Sequence, residues 1–252
     1  MRGPARRLLI GNWKMNLTNS DALAFARLLL PRLKSAPDRE IALAPPFTAL
    51  GAIAPLLKGG PILLAAQNLF WEDQGPYTGE ISGPMLQEAG VTYVLVGHSE
   101  RRRHLEETDR AASRKVAAAL RCGLLPVLCV GEDEMERDSG KAATVVQSQL
   151  ARGLEGLAQG AGSRLQIAYE PVWAIGTGKA ATPAQAAEMH DLIRRELARL
   201  FGEAGAGIRI LYGGSVTASN VDELMRTPGV DGALVGGASL KVDEFARITA
   251  FR

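Results

Sequence analysis

The feature that most constrains the fold of this chain is a regular alternation of short apolar runs with longer amphipathic segments. Each run is hydrophobic at successive positions, which is typical of a parallel strand that is covered on both faces. Parallel strands need a long crossover between them, and the amphipathic segments supply it. We predict eight strands, at Leu8–Gly11, Ile41–Ala44, Ile62–Ala66, Tyr93–Val96, Leu125–Val130, Gln166–Tyr169, Ile208–Tyr212 and Gly232–Val235.

The amphipathic segments predict eight helices. Ser20 and Thr182 are candidate N-caps, because their hydroxyl groups can accept hydrogen bonds from free backbone amides, and Pro183 suits a first helical turn. The helices are predicted at Ser20–Leu33, Thr48–Leu57, Met85–Ala89, Thr108–Arg121, Ala142–Ala158, Pro183–Phe201, Ala218–Met225 and Val242–Thr249.

The number and spacing of these elements favour a closed barrel. Eight units in 252 residues give about 31 residues per unit, the size expected of a strand and its crossover helix. The alternative is an open doubly wound sheet, which usually carries a GxGxxG fingerprint after its first strand. Here Asn12, Trp13 and Lys14 follow that strand, and neither GxGxxG nor GxxxxGK[ST] occurs in the sequence. We therefore predict an α/β fold, a (β/α)8 barrel, as a single domain over residues 1–252.

Charge and composition narrow the function classes. The net charge of +2 argues against a nucleic-acid interface, which needs a concentrated basic surface. The three histidines show no metal-ligand spacing, so we expect no metal site. No run approaches the ~20 apolar residues of a membrane span, and the run at Leu8 to Ile10 is too short for a signal peptide. We expect a cytoplasmic protein in which Cys122 and Cys129 are buried, reduced thiols.

Polar residues concentrate after the strands, where a barrel of this kind builds its active site. Glu170 follows a strand directly, and partial desolvation there would raise its basicity; the alternative is a structural ion pair. His98 precedes a polar helical start, where the helix dipole favours the neutral ring; the alternative is a hydrogen-bonded core histidine. His104 and His190 are predicted on helix surfaces.

Glycines after strands seven and eight predict a phosphate site. Gly213-Gly214-Ser215 and Gly236-Gly237 can bring backbone amides close to an anion, although either pair alone fits an ordinary tight turn. The loops after strands seven and eight are a common phosphate site in such barrels. The small-residue stretch 174–178 fits either a mobile lid or a plain surface loop.

Several segments together resemble the signature segments of the triosephosphate isomerases, and the similarity runs nearly end to end. The stretch from Tyr169 to Lys179 is the most specific of them. The segments are Gly11-Asn12-Trp13-Lys14-Met15-Asn16, Gly97-His98-Ser99-Glu100-Arg101-Arg102, Tyr169-Glu170-Pro171-Val172-Trp173-Ala174-Ile175-Gly176-Thr177-Gly178-Lys179 and Leu211-Tyr212-Gly213-Gly214-Ser215-Val216.

The resemblance implies the catalytic roles. Glu170 is the base that moves a proton between carbons one and two, and neutral His98 polarises the carbonyl. Lys14 stabilises the enediolate and the phosphate dianion. Asn12 donates a further hydrogen bond, and Glu100 orders Lys14 or accepts from its neighbours. Such a pairing of glutamate base and neutral histidine is a known case of tuned pKa values.

The resemblance also implies the reaction and its setting. The reaction is the interconversion of D-glyceraldehyde 3-phosphate and dihydroxyacetone phosphate through an enediolate, without a cofactor, in glycolysis, gluconeogenesis and the pentose phosphate pathway. A homodimer would form through the loop from Asn68 to Glu80. Ala180 departs from the threonine or valine that we expect in many relatives. The phosphate would be held by backbone amides of Gly176, Ser215, Gly236 and Gly237.

Two other functions remain open on the sequence alone. One is another phosphate-binding barrel enzyme, such as a Schiff-base aldolase that uses Lys14. The other is a non-catalytic sensor that binds a sugar phosphate tightly with negligible turnover.

Overall fold

Eight parallel strands form a closed barrel in the computed structural model, which describes residues 6–33, 36–176 and 181–252. The strands pair in chain order, and the first strand also pairs with the last, from Leu8 beside Gly232 to Gly11 beside Val235. That pairing rules out the open sheet and confirms the predicted barrel. The strands are β1 (Arg7–Asn12), β2 (Arg39–Ala44), β3 (Ile62–Ala66), β4 (Val91–Val96), β5 (Leu125–Val130), β6 (Gln166–Tyr169), β7 (Arg209–Tyr212) and β8 (Gly232–Val235).

Helices surround the barrel and connect its strands. Two of those in the described residues, α6 and α9, were not predicted, because each is short and lacks an apolar stripe. The sequence predicts α4 as a polar helical start after His98, without bounds. The helices are α1 (Asn19–Leu29), α2 (Phe47–Leu57), α3 (Gly83–Glu88), α4 (Ser99–Leu105), α5 (Asp109–Arg121), α6 (Glu134–Asp138), α7 (Ala142–Gly153), α8 (Pro183–Phe201), α9 (Glu203–Ala206), α10 (Val221–Arg226) and α11 (Val242–Thr249).

The predicted helix starts are right in one case and wrong in the other. Thr182 caps α8 by accepting a hydrogen bond from the Gln185 amide. The predicted cap Ser20 lies inside α1, because Thr18 caps that helix and forms a reciprocal capping box with Asp21. The prediction for α7 also ran too far, since the helix ends at Gly153 and Gly156 adopts a left-handed φ of 76°.

The strands are apolar on both faces because they contribute to two layers of core. Leu8 and Ile10 point into the barrel, whereas Leu9 packs outward among the helices. At the amino-terminal end of the barrel, Arg209 pairs with Glu40 and donates to the Tyr93 hydroxyl at 2.7 Å. These polar groups are hydrogen-bonded to one another, which gives this end of the barrel a structural role.

The two cysteines differ in burial. Cys129 is fully buried in β5, as predicted, and both thiols are free. Cys122 is only half-buried, which corrects the expectation that both would be enclosed. It lies at the C-cap of α5, where its Sγ is 3.8 Å from Oδ1 of Asp73.

His190 was predicted on a helix surface and is instead completely buried in α8. Its ring packs between Tyr169 and Tyr212, with centroid separations of 5.9 and 6.4 Å. Its Nδ1 lies 3.0 Å from the carbonyl oxygen of Gly229, so Nδ1 carries the proton. Burial lowers the pKa of His190 from its usual value of 6.5 to about 4. His104 is exposed, as predicted.

This burial makes stability fall on mild acidification. Well above pH 6.5, His190 is neutral in both the folded and the unfolded chain. As the pH falls through 6.5, the histidine of the unfolded chain is protonated, whereas that of the folded chain stays neutral until about pH 4. We expect His190→Asn, which keeps a donor for Gly229, to remove this loss. When the pH is lowered from 7.5 to 4.5, the free energy of unfolding should fall by about 2–3 kcal/mol more in the wild type than in the variant. Urea unfolding at fixed protein concentration measures this difference. A difference between the two proteins that is constant over this pH range would contradict the assignment.

Candidate active site

The predicted functional residues meet at the carboxyl-terminal rim of the barrel. Asn12 ends β1, and Lys14 follows it by two positions. His98 caps the amino end of α4 after β4, and Glu170 follows β6. Because all eight strands are parallel and closed into a ring, their following residues converge on one mouth.

Lys14 is fixed by its backbone as well as by its side chain. Its φ of 53° is left-handed, and its amide donates to Oδ1 of Asn12 at 3.0 Å. Gln67, after β3, donates to the Lys14 carbonyl at 2.8 Å. The ammonium group lies 2.6 Å from Oε1 of Glu100. The unusual conformation is therefore held by three neighbours and aims the charge across the mouth. No role was predicted for Gln67, whose partner Lys14 lies on a different loop.

His98 and Glu170 are buried and in direct contact. Their side chains are 7% and 2% exposed, and Nε2 of His98 lies 2.9 Å from Oε1 of Glu170. The Glu100 amide donates to Nδ1 of His98 at 3.3 Å, so in the neutral ring the proton sits on Nε2. Glu170 also accepts hydrogen bonds from the Ser99 amide at 2.9 Å and from the Ser99 hydroxyl at 3.3 Å.

These contacts reverse the expected direction of the Glu170 pKa. Burial raises the pKa of the carboxyl group, but His98, the Ser99 amide and Lys14 outweigh it, and the pKa lies below its ordinary value. Burial likewise lowers the pKa of His98, but the facing Glu170 carboxylate outweighs it and raises the pKa. Both pKa shifts arise because the Glu170 carboxylate is turned toward His98. A carboxylate turned toward a substrate would leave burial as the main influence on each group.

A cavity of about 290 Å³ joins these side chains to the glycine loops. Gly236 lets Lys14 lie against the β8 loop, because a Cβ there would stand 3.3 Å from Cε of Lys14. Gly213 similarly leaves room for Glu170, since its Cβ would be 2.9 Å from Cγ of that residue. Eight of the predicted site residues line the cavity: Asn12, Lys14, His98, Glu170, Gly176, Ser215, Gly236 and Gly237.

A wider cleft of about 600 Å³ lies on the other side of Glu170. Trp173, Met135 and Arg103 are among its lining residues, and Glu170 is the single predicted site residue that lines it. The smaller cavity is therefore where the chemistry-bearing side chains converge.

The stretch predicted as a lid begins in a braced segment. A 3-10 turn, Val172–Ala174, leads to Gly176 at a left-handed φ of 70°. Glu132, completely buried after β5, accepts hydrogen bonds at Oε1 from the Tyr169 hydroxyl at 3.0 Å and from Nε1 of Trp173 at 2.9 Å. Residues 177–180, including Ala180, lie outside the described residues. No functional role was predicted for Glu132, although it follows β5 at the same rim as the other site residues.

Two further properties bear on what the molecule can bind. In the part of the chain that the structure describes, no three His, Cys, Asp or Glu side chains group closely enough to hold a metal ion. None of its described helices combines the length and apolarity needed to cross a membrane.

Taken together, the barrel and its rim have the layout of an enzyme active site, with groups suited to acid–base chemistry on a small anionic molecule. A buried carboxylate faces an imidazole, a lysine lies opposite, and glycine loops line the space between them.

Comparison with known proteins makes the class specific. The family model described as triosephosphate isomerase matches residues 7–252. A triosephosphate isomerase of Herpetosiphon aurantiacus is 53% identical over 248 residues, covering 98% of this chain and 99% of the relative. One of Moorella thermoacetica is 50% identical over 246 residues, covering 98% of each. The crystal structure of triosephosphate isomerase from Bartonella henselae superposes with a TM-score of 0.88 at 43% identity, over 96% of this chain and 97% of that one. The chain belongs to the triosephosphate isomerase family.

Proposed function

We propose that this active site isomerises its substrate by moving one proton with Glu170 while His98 and Lys14 stabilise the resulting oxyanion. The family defines the reaction, the interconversion of D-glyceraldehyde 3-phosphate and dihydroxyacetone phosphate, and its identity implies a glycolytic context. We propose that the enzyme also serves gluconeogenesis, which runs the same reaction in reverse. The observation that carries the mechanism is the buried contact of Glu170 with Nε2 of His98 at the mouth of a cavity lined by Lys14 and glycine loops.

The proton transfer needs no cofactor, because the substrate carbonyl already acidifies the neighbouring C–H bond. The Glu170 carboxylate removes that proton, and the C–H electron pair becomes the carbon–carbon double bond of an enediolate. The protonated Glu170 then returns the proton to the adjacent carbon. The hydroxyl proton of the enediolate must at the same stage pass from one oxygen to the other, and His98 can mediate this transfer by donating Nε2–H to one oxygen and taking a proton from its neighbour. Glu170 must first leave the Ser99 amide and His98, and loss of those donors restores the basicity that burial favours.

The negative charge of the intermediate develops on oxygen, so donors fixed in advance stabilise it more than they stabilise the substrate. Neutral His98 directs its Nε2–H into the cavity once Glu170 turns away. Asn12, whose Oδ1 is occupied by the Lys14 amide, has its Nδ2 group left to donate. Glu100 holds the Lys14 ammonium at 2.6 Å and thereby orders it.

The phosphate of the substrate lies, in this proposal, against the loops after β7 and β8. Ser215, Gly236 and Gly237 line that end of the cavity, and Gly237 begins a 3-10 turn, Gly237–Leu240. Gly176 approaches from the lid side of the same cavity. Backbone amides at such positions and the Lys14 ammonium complement a dianion.

One assay separates the proposal from its rivals. Conversion of glyceraldehyde 3-phosphate, coupled to reduction of dihydroxyacetone phosphate, should be fast and resistant to EDTA. Borohydride with substrate should leave Lys14 unmodified, whereas a Schiff-base aldolase would be trapped there. Tight binding of substrate with negligible turnover would instead support the sensor and overturn the enzyme.

We also propose that the protein is a homodimer formed through the docking loop, residues Asn68 to Glu80. Residues 73–80 are all exposed on the protomer, and the loop is long for a connection of this kind. Met15, 95% exposed beside Lys14, and the exposed Met85 and Tyr77 are apolar side chains that a partner would cover. The docking loop of each protomer would then enter the other near Lys14, so the dimer would order the lysine as well as cover these side chains.

A charged bulky side chain at the tip of the docking loop tests the dimer. Thr78 is exposed, so Thr78→Arg should leave the protomer folded while preventing the loop from entering a partner. We expect monomers in sedimentation velocity with turnover reduced at least tenfold, and Thr78→Ser should behave like the wild type. A fully active monomeric variant would contradict the proposal.

The location and organisation of the protein follow from the same proposal. A cytoplasmic, single-domain enzyme over residues 1–252 would meet its triose phosphate substrates where glycolysis supplies them. The near-neutral charge balance, +2, gives no reason to add nucleic acid as a partner.

A further inference from the structure

The docking loop is held by its own subunit across an open cleft. A space of about 510 Å³ separates part of the loop from α5, with Trp71, Glu72 and Asp73 on one side and Arg114 and Arg121 on the other. The start of the loop is anchored, because Trp71 packs against the edge of the hydrophobic core and Lys115 of α5 donates to Oδ1 of Asn68 at 2.8 Å. Around the open space itself, the position of the loop depends on the side chains that reach across from α5.

Two arginines, seven residues apart on the same face of α5, make those contacts. The Arg114 guanidinium lies 4.0 Å from the centre of the Trp71 ring and 3.2 Å from Oε1 of Glu72. Arg121 donates to the Trp71 carbonyl at 3.1 Å and to Oδ1 of Asp73 at 2.7 Å. Both arginines thus contact the same stretch, residues 71–73. Arg114 contacts the Trp71 ring, Arg121 contacts the Trp71 carbonyl, and each also pairs with a carboxylate.

That stretch controls the rest of the loop through stacked rings. Phe70 stacks on Trp71 with centroids 4.1 Å apart, and it contacts Tyr77 at 4.5 Å. The Phe70 amide donates to the Ile81 carbonyl at 2.8 Å and closes the neck of the loop. Fixing Trp71 therefore fixes Tyr77, the apolar side chain nearest to the tip.

We propose that Arg114 and Arg121 are positioning residues that order the docking loop before it meets a second copy of this chain. The inference rests on the dimer proposed above and adds that each protomer prepares its own loop in cis. A loop that is already ordered loses less conformational freedom on association, so the partner binds it more tightly. The contacts are exposed and individually weak, and their effect comes from acting together on one segment.

The test compares Arg114→Ala/Arg121→Ala with the matched control Arg110→Ala/Arg152→Ala. The control removes the same two charges from residues that line a different groove, beside Thr108 and Glu155. We expect the dimer dissociation constant, from sedimentation over a dilution series, to rise about 10-fold or more in the test variant and to change less than twofold in the control. Turnover at protein concentrations that restore the dimer should match that of the wild type.

A charge exchange separates positioning in cis from direct contact with the partner. Asp73→Arg and Arg121→Asp should each weaken the dimer, and the two together should recover part of the loss, since Arg121 and Asp73 pair within one protomer. In the Thr78→Arg background, removal of both α5 arginines should speed amide hydrogen exchange in residues 70–77.

The outcomes distinguish this inference from the dimer itself. A wild-type protein that is monomeric at every concentration overturns both. A wild-type dimer whose dissociation constant is the same in the test and control variants overturns the inference alone. So does loss of turnover in the test variant at concentrations where it is dimeric, because the arginines would then act beyond the docking loop.

Discussion

Glu170→Gln should lower kcat by about 10³-fold or more, the range of a lost general base, or about 4 kcal/mol of transition-state stabilisation. The amide is close to the carboxylate in size but cannot take the proton from the substrate carbon. The carboxyl oxygens of Glu170 contact His98 and Ser99, and the β7 loop meets this side chain at its Cγ methylene, which Glu170→Gln retains. The affinity of a phosphate-bearing analogue should therefore change only a few-fold. Initial rates and an analogue titration measure the two effects separately.

Two controls identify what the substitution removes. Glu170→Asp keeps a base but withdraws it by one methylene group, so its kcat should fall between those of the wild type and Glu170→Gln. The pKa of His98, followed by NMR, should be lower in Glu170→Gln than in the wild type, because the carboxylate that raises it is gone and burial remains. Near-normal turnover in Glu170→Gln would show that another group is the base.

The sequence predicts the barrel well because the information is local and repeated. Runs such as Leu125–Val130 and Ile62–Ala66 are apolar throughout, and the structure places strands with those same bounds. The less accurate predictions come from competition between similar signals. Thr18 and Ser20 are both plausible caps, and the capping box with Asp21 decides for Thr18. His190 is a polar residue within an amphipathic segment, which favours the helix surface in a prediction from sequence. Its burial depends on tertiary packing against the rings of Tyr169 and Tyr212, which the sequence pattern does not indicate.

The site could be anticipated residue by residue, but its electrostatics could not. Position after a strand indicates that Glu170 and His98 share one rim. It does not indicate that Glu170 turns toward His98 and Ser99, which sets the direction of both pKa shifts. Gln67 and Glu132 illustrate a second limit. Each acts by holding another residue, Lys14 or Trp173, and such a role depends on distances between loops that are far apart in sequence.

Lys14→Met should reduce kcat/KM by about 10³–10⁴-fold, which corresponds to about 4–5.5 kcal/mol. The substitution removes the lysine charge from the cavity and also leaves the Glu100 carboxylate, now unpaired, close to where the phosphate binds. Both kcat and KM should worsen, because the ammonium faces the intermediate as well as the dianion. Lys58→Met, at an exposed position outside the cavity, makes the same charge change and should have wild-type kinetics.

A double variant divides the loss between the absent ammonium and the exposed carboxylate. In Lys14→Met/Glu100→Gln the repulsion between Glu100 and the substrate phosphate is removed, so KM should recover toward the wild-type value. The kcat should stay low, because no neutral side chain replaces the positive charge beside the developing oxyanion. Single Glu100→Gln should affect turnover less than Lys14→Met, since Gln67 and Asn12 still hold the Lys14 backbone. If KM and kcat recover together in the double variant, Lys14 serves to neutralise Glu100 and has no direct part in the chemistry. If neither recovers, the loss comes from the ammonium alone and Glu100 only orders it.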